Sequence, residues 1–158
     1  MKRVRIIIII FSIIFFLSGL TVFPVEWEIS TLIKVLYGNS APNEGMFPGI
    51  HQMLLHINHD LPLLKSQYPY IFYGFDWLGF AFIVMTILFL GTLRDPVRNK
   101  WIFQLALISC VLVIPMAFIF APLRGLPWTW AFVDSSFGVF GAIPLIIILK
   151  EISRAENH

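Results

Sequence analysis

The chain has 158 residues, of which 58% are hydrophobic and only 13% are charged, and its mean hydropathy is +0.84. A soluble domain carries about twice that share of charge, so the composition excludes an ordinary soluble protein and predicts a single integral membrane domain over residues 1–158. The net charge is +2, but the basic residues form no patch, and this argues against nucleic acid as a partner. The chain has one cysteine, so an intrachain disulfide is excluded.

The first apolar run, residues 6–23, follows the basic segment Met1–Arg5. A secretory signal peptide begins in the same way. The run is close to the roughly 20 residues that span a bilayer, and residues 21–24 lack the small side chains of a cleavage site. We therefore favour an uncleaved transmembrane helix over residues 5–23 to a cleaved signal peptide.

Residues 24–69 are polar enough to leave the membrane, yet they keep helical spacing. Apolar residues fall on one face before Gly38, a natural helix stop, and again between Gly49 and Leu64. The sequence therefore predicts one or two short helices in an extracytoplasmic loop, lying on the helical bundle or at the membrane interface. The residues of the two apolar faces are Ile29, Leu32, Ile33 and Leu36, and Ile50, Met53, Leu54 and Ile57.

Three further apolar runs predict transmembrane helices over about residues 70–93, 101–121 and 128–149. The polar connections Arg94–Lys100 and Pro122–Pro127 are so short that the spans they join must be antiparallel neighbours. Together with the first span, they predict an all-α membrane protein with four transmembrane helices in an up-down-up-down bundle.

The distribution of basic residues predicts the orientation, because Lys and Arg are retained on the cytoplasmic side. Most of the 11 basic residues lie on the side that carries both chain ends, and only Lys34, Lys65 and Arg124 lie on the other. We therefore expect a multi-pass protein of the inner (cytoplasmic) membrane with its N- and C-termini in the cytoplasm and residues 24–69 facing outward.

Asp76 and Asp134 lie at a similar predicted depth in the second and fourth spans, and Arg124 lies in the outer turn between the third and fourth. An ionised group at that depth is costly unless it is paired or hydrated, so such groups often mark function. Glycines lie at helical spacing from both aspartates, on the same helix faces. Because small residues line helix–helix contacts in membranes, this spacing suggests that both aspartates face other helices. The sequence thus predicts no catalytic residue here. It predicts an outward-facing polar pocket of Asp76, Arg124 and Asp134 that includes Ser135, or alternatively a structural ion-pair network that pins the outer ends of the helices.

A histidine cluster lies in the second outer helix, where His56 and His59 share a face and His51 is less well aligned. Histidines at that spacing can bind a transition metal, but they need further ligands, for which Glu26, Glu28 or Glu44 are candidates. No recognised metal motif is present, so we predict no cofactor and keep a transition metal as the alternative to polar-face histidines.

Several motifs of the second half resemble a group of small, uncharacterised bacterial integral membrane proteins. They are Tyr68–Tyr70, Tyr73–Leu78, Leu93–Arg98, Pro122–Pro127 and Asp134–Gly141. The resemblance covers the chain from Tyr68 onward and implies a bacterial inner-membrane setting. It implies no activity and no substrate.

Three classes of function follow from these features. The favoured one is a small binding or accessory protein with the outward-facing pocket, whose partners are the lipid bilayer and another membrane protein or a second copy of itself. The first alternative is a membrane enzyme acting at the outer face through a histidine-bound metal or an aspartate acid/base pair. The second alternative is a subunit of an oligomeric transporter or channel. Several copies would be needed, because few polar groups lie deeper in the membrane than the aspartates to form a path through one copy.

Overall fold

The computed structural model describes residues 2–38, 40–41 and 47–156. Those residues form six α-helices and no strand, which confirms the prediction of an all-α protein. The helices are α1 (Lys2–Val22), α2 (Val25–Tyr37), α3 (Pro48–Gln67), α4 (Pro69–Gly91), α5 (Lys100–Leu123) and α6 (Trp128–Glu156).

Four of the described helices, α1, α4, α5 and α6, are long and apolar enough to cross a membrane. No more than 22% of any of these four spans is buried within the chain, and large apolar side chains are exposed along all of them. An exposed apolar surface of this extent is stable only against lipid or another membrane protein. This result supports the predicted multi-pass membrane protein.

The chain divides into two compact units, one made of Met1–Phe15 with Val84–His158 and the other of Phe16–Ile83. The core of the first unit joins α1, the end of α4, α5 and α6 through buried aliphatic and aromatic side chains. These are Val4, Ile8, Phe89, Phe103, Leu145, Ile148 and Ile152. The buried Ser12 of this unit is satisfied within its own helix, since Ser12 Oγ donates to the Ile8 carbonyl oxygen at 2.9 Å.

Small residues bring α5 and α6 together within the first unit. Ala117, Ala121 and Ala131 form a small buried cluster, and Gly138 lies against the backbone of α5 at Cys110. Because a helix without bulky side chains at its contact can approach another closely, this stripe permits a tightly packed α5–α6 hairpin.

The second unit contains the α2–α3 hairpin. Gly38 ends α2 with a φ of +56°, and its N–H donates to the Lys34 carbonyl oxygen at 3.1 Å. Ile33 of α2 and Ile50 and Leu54 of α3 are buried, as their predicted apolar faces require, whereas Leu32 and Leu36 of the same predicted face of α2 are exposed. At 20 residues, α3 is longer than the short helix expected from the sequence.

An ion pair and a close glycine contact complete the second unit. Lys65 Nζ of α3 lies 3.0 Å from Glu26 Oε1 of α2. In the same unit Gly19 of α1 and Gly79 of α4 lie so close that a Cβ on either would come within 3.1 Å of the other's carbonyl oxygen. The glycines therefore allow the backbones of α1 and α4 to touch.

Candidate functional site

The backbone at the end of α5 fixes the position of Arg124. The Gly125 N–H donates to the Pro122 carbonyl oxygen at 3.0 Å, and the Leu126 N–H donates to that of Ala121 at 2.9 Å. This is the Schellman pattern, with Gly125 in the left-handed region at φ +73°. Leu126 packs against the alanine cluster, the apolar contact that frequently accompanies this motif. Arg124 is thus held at the C-cap of α5.

Asp134 is carried by the first part of α6, about 9 Å along the helix axis from Trp128. It is half-buried, whereas its neighbour Ser135 is buried on the face that also carries Ala131 and Gly138. The Ser135 hydroxyl has no hydrogen-bond partner in the described part of the chain, although Ser136 donates to the Val133 carbonyl oxygen at 2.6 Å. Ser135 therefore belongs to the packed face of α6 and Asp134 to its edge.

Arg124 and Asp134 line one open groove on the α5–α6 hairpin, with a volume of about 440 Å³. We call it the Arg124 groove. Its other lining residues are apolar: Val113, Met116, Ala117, Phe120, Ala121, Leu126 and Phe137. Within the described ranges the two charged side chains form no ion pair with each other, since no guanidinium nitrogen of Arg124 lies within 4.0 Å of a carboxylate oxygen of Asp134. The groove thus offers two separate charges of opposite sign on an apolar wall.

Asp76 lies in the other compact unit, on an exposed face of α4. It lines a shallow depression of about 250 Å³ with Tyr73, Trp77 and Phe80. Gly79, whose spacing suggested an inward direction for Asp76, is buried against Phe23 while Asp76 itself is exposed. A pocket shared by Asp76, Arg124 and Asp134 stays a prediction.

His51 is buried, whereas the other two histidines of the cluster are exposed. Its ring stacks on that of Tyr37 with centroids 4.0 Å apart and planes within 1°, and the residue is only 2% exposed. The Tyr37 hydroxyl donates to the Phe47 carbonyl oxygen at 3.3 Å, and burial raises the pKa of that hydroxyl above its ordinary value. His51 and Tyr37 therefore act as packing groups of the α2–α3 hairpin.

His56 and His59 are exposed on α3, and His59 Nδ1 lies 2.8 Å from Asp60 Oδ1. Among the residues that the structure describes, no three His, Cys, Asp or Glu side chains come together as a possible metal site. The candidate ligand Glu44 lies outside the described residues, and Glu26 pairs with Lys65. The alternative of a transition metal at His51, His56 and His59 therefore has no ligand set among the described residues to support it.

Two parts of this arrangement went unnoticed in the sequence. The stacking partner Tyr37 lies across the hairpin from His51, and only the pairing of α2 with α3 brings the two rings together. The apolar wall that includes Met116 and Phe137 is indistinguishable in sequence from lipid-facing surface. Comparison of the chain with protein-family models, curated proteins and solved structures finds no significant match. The resemblance to small bacterial membrane proteins accordingly stays an expectation.

Proposed function

We propose that this chain is a membrane-embedded binding or accessory protein of the bacterial inner membrane, with both termini in the cytoplasm. Its binding site is the Arg124 groove, which opens toward the outer side. The observation that carries the proposal is the placement of Arg124 and Asp134, unpaired with each other in the described structure, on one largely apolar groove.

The dimensions and charges of the groove suggest an amphipathic ligand. Its volume of about 440 Å³ lies within the range of about 300–1,000 Å³ that holds small molecules. From Val113 to Arg124 it follows α5 for about 16 Å, roughly half the thickness of the hydrocarbon core. A single hydrocarbon chain in one leaflet fits this length.

The polar end of such a ligand must match both charged side chains. Arg124 suits an anionic oxygen, since its guanidinium donates several hydrogen bonds in a fixed plane. Asp134 accepts hydrogen bonds from an ammonium or another donor. A zwitterionic phosphoethanolamine head supplies both groups, so a single-chain phosphatidylethanolamine is the probe that we select.

The test measures binding of lysophosphatidylethanolamine to the purified chain in detergent, with Arg124→Gln and Asp134→Asn as variants. We expect each variant to weaken binding about tenfold or more, because a hydrogen bond to a charged group contributes about 1.5–3 kcal/mol. The ammonium group of lysophosphatidylcholine has no N–H donor. The wild-type chain should therefore bind this lipid about as weakly as the Asp134→Asn variant binds lysophosphatidylethanolamine.

Arg98→Gln and Asp60→Asn serve as matched controls, because both side chains are exposed and neither lines the groove. Thermal unfolding of each variant checks that the fold is kept. Equal probe affinity in the wild-type chain and both groove variants would overturn the proposal.

A further inference from the structure

A second groove lies at the opposite end of the α5–α6 hairpin, and we call it the Lys150 groove. It is open and has a volume of about 430 Å³. Leu107 of α5 and Ile146 and Leu149 of α6 form its apolar part, and Lys150, Ser153 and Arg154 form its polar part. Along α6 the apolar lining residues are thus followed by the polar ones.

The order of these residues matches the depth profile of a bilayer. At 29 residues α6 is about 43 Å long, whereas the hydrocarbon core is about 30 Å thick. If Trp128 marks one membrane boundary, the other falls about 20 residues later, near Lys150. Ile146 then lies among acyl chains, and Arg154 lies at the level of the headgroups.

Lys150 and Arg154 are presented together on one face, because residues four apart on a helix are neighbours. Lys150 is exposed and makes no ion pair or hydrogen bond within the described ranges. Arg154 makes only a long contact of 3.4 Å from Nη1 to Glu151 Oε1, with its side chain 75% exposed. Lys150 is therefore unpaired within the described ranges, and Arg154 is exposed enough to contact an anion as well as Glu151.

The walls of the groove are held in place by contacts on either side. Lys100 Nζ at the start of α5 lies 2.5 Å from Glu156 Oε2 at the end of α6, which ties the two helix ends together. Ile148 and Ile152, on the other face of α6, are completely buried in the core of the first unit. A ligand in the groove therefore meets a preformed surface.

We propose that the Lys150 groove is a binding site for an anionic phospholipid, with an acyl chain along Leu107 and Ile146 and the phosphate between Lys150 and Arg154. Ser153 supplies a hydroxyl donor to the same phosphate. Clustered cations beside an apolar surface at a membrane boundary are the arrangement that recognises such lipids. The opposite-sign pair of the Arg124 groove lacks this net positive charge, so the two sites differ in the lipid head that they select.

The experiment uses native mass spectrometry of the full chain titrated with dioleoylphosphatidylglycerol or dioleoylphosphatidylcholine. The wild-type chain should bind the first lipid about tenfold or more tightly than the second, since two cations contribute to its headgroup contact. The double variant Lys150→Gln/Arg154→Gln should lose this preference. Ile146→Trp, which fills the apolar wall from an exposed position, should weaken binding of both lipids.

Lys2→Gln/Arg3→Gln is the matched control, because it removes the same charge from the same side of the membrane and leaves the groove intact. If this control loses the lipid preference as completely as the groove variant, binding reflects general surface charge and the proposal is wrong. Inorganic phosphate at millimolar concentration should not displace the lipid, and displacement would overturn the assignment to a phospholipid. Binding of lysophosphatidylethanolamine at the Arg124 groove should be unchanged in both double variants, so the two proposals fail independently.

Discussion

Gly125 is the residue whose backbone conformation determines how Arg124 is presented. Its φ is +73°, and a Cβ built on it would meet no heavy atom within 4 Å. A side chain here is therefore disfavoured by conformation alone, at a cost of about 1–2 kcal/mol for an L-residue in the left-handed region. We expect Gly125→Ala to lower the free energy of unfolding by about 1 kcal/mol, measured by denaturant titration in detergent micelles.

Gly74→Ala provides the control, because Gly74 also has open space around it but lies inside α4 with an ordinary helical φ. Alanine favours a helix more than glycine does, so stability should stay the same or rise slightly. Equal destabilisation by the two substitutions would contradict a conformational role for Gly125.

The candidate site was only partly predictable at the scale of single residues. Asp134 stands out in sequence because charges are rare in apolar spans, and Arg124 because it is the one cation in the turn between the last two spans; the structure places both on one groove. Ser135 was included as the neighbour of Asp134, but successive residues on a helix point about 100° apart, which turns Ser135 into the α5–α6 contact. For His51 the sequence suggested a polar-face histidine, with a metal ligand as the alternative, whereas the residue is buried against Tyr37, a neighbour that depends on the pairing of two helices.

At the scale of helices, Gly138 determines how closely α5 and α6 approach. A Cβ at this position would overlap the Cys110 carbonyl oxygen and Val113 Cγ1. Since the first of these is backbone, the helices themselves must separate. We expect Gly138→Ala to destabilise the chain by about 1–3 kcal/mol, the usual range for overpacking, in thermal or denaturant unfolding in detergent.

Gly141→Ala is the matched control, because a Cβ there would meet only the Cys110 sulfur, at 3.1 Å. A side chain can move aside where backbone cannot, so its effect should be smaller. Maleimide labelling of the half-buried Cys110 gives a second measurement and should be faster in Gly138→Ala than in Gly141→Ala. The interpretation of Gly138 is wrong if the two variants behave alike.

Hydropathy locates the four long helices because length and apolar content identify a span. It places their ends less well, as the end of α6 illustrates. The predicted span stops at residue 149, but the helix continues to Glu156. Ile152 is completely buried in the core, and Glu156 pairs with Lys100, so contacts within the first unit stabilise the part of the helix that lies beyond the predicted span. Contacts of this kind cannot be predicted from hydropathy.

For the molecule as a whole, both proposed sites lie on the α5–α6 hairpin but differ in charge. One end carries Arg124 with Asp134, and the other carries Lys150 with Arg154. Because a hairpin of spanning helices places its turn and its free ends on opposite sides of the membrane, the two grooves would sample different leaflets. Which leaflet each one samples follows from the orientation of the chain.

Orientation can be tested with single cysteines placed in the Cys110→Ala background, since Cys110 is the only native cysteine. Ser40→Cys tests the segment between α2 and α3, and Ala155→Cys tests the end of α6; both positions are exposed. Because basic residues are retained in the cytoplasm, we expect a membrane-impermeant maleimide to label the Ser40→Cys variant in intact spheroplasts. The Ala155→Cys variant should be labelled only after the membrane is permeabilised. The opposite labelling pattern would show that the chain has the inverse orientation in the membrane, and the Arg124 groove would then lie in the cytoplasmic leaflet.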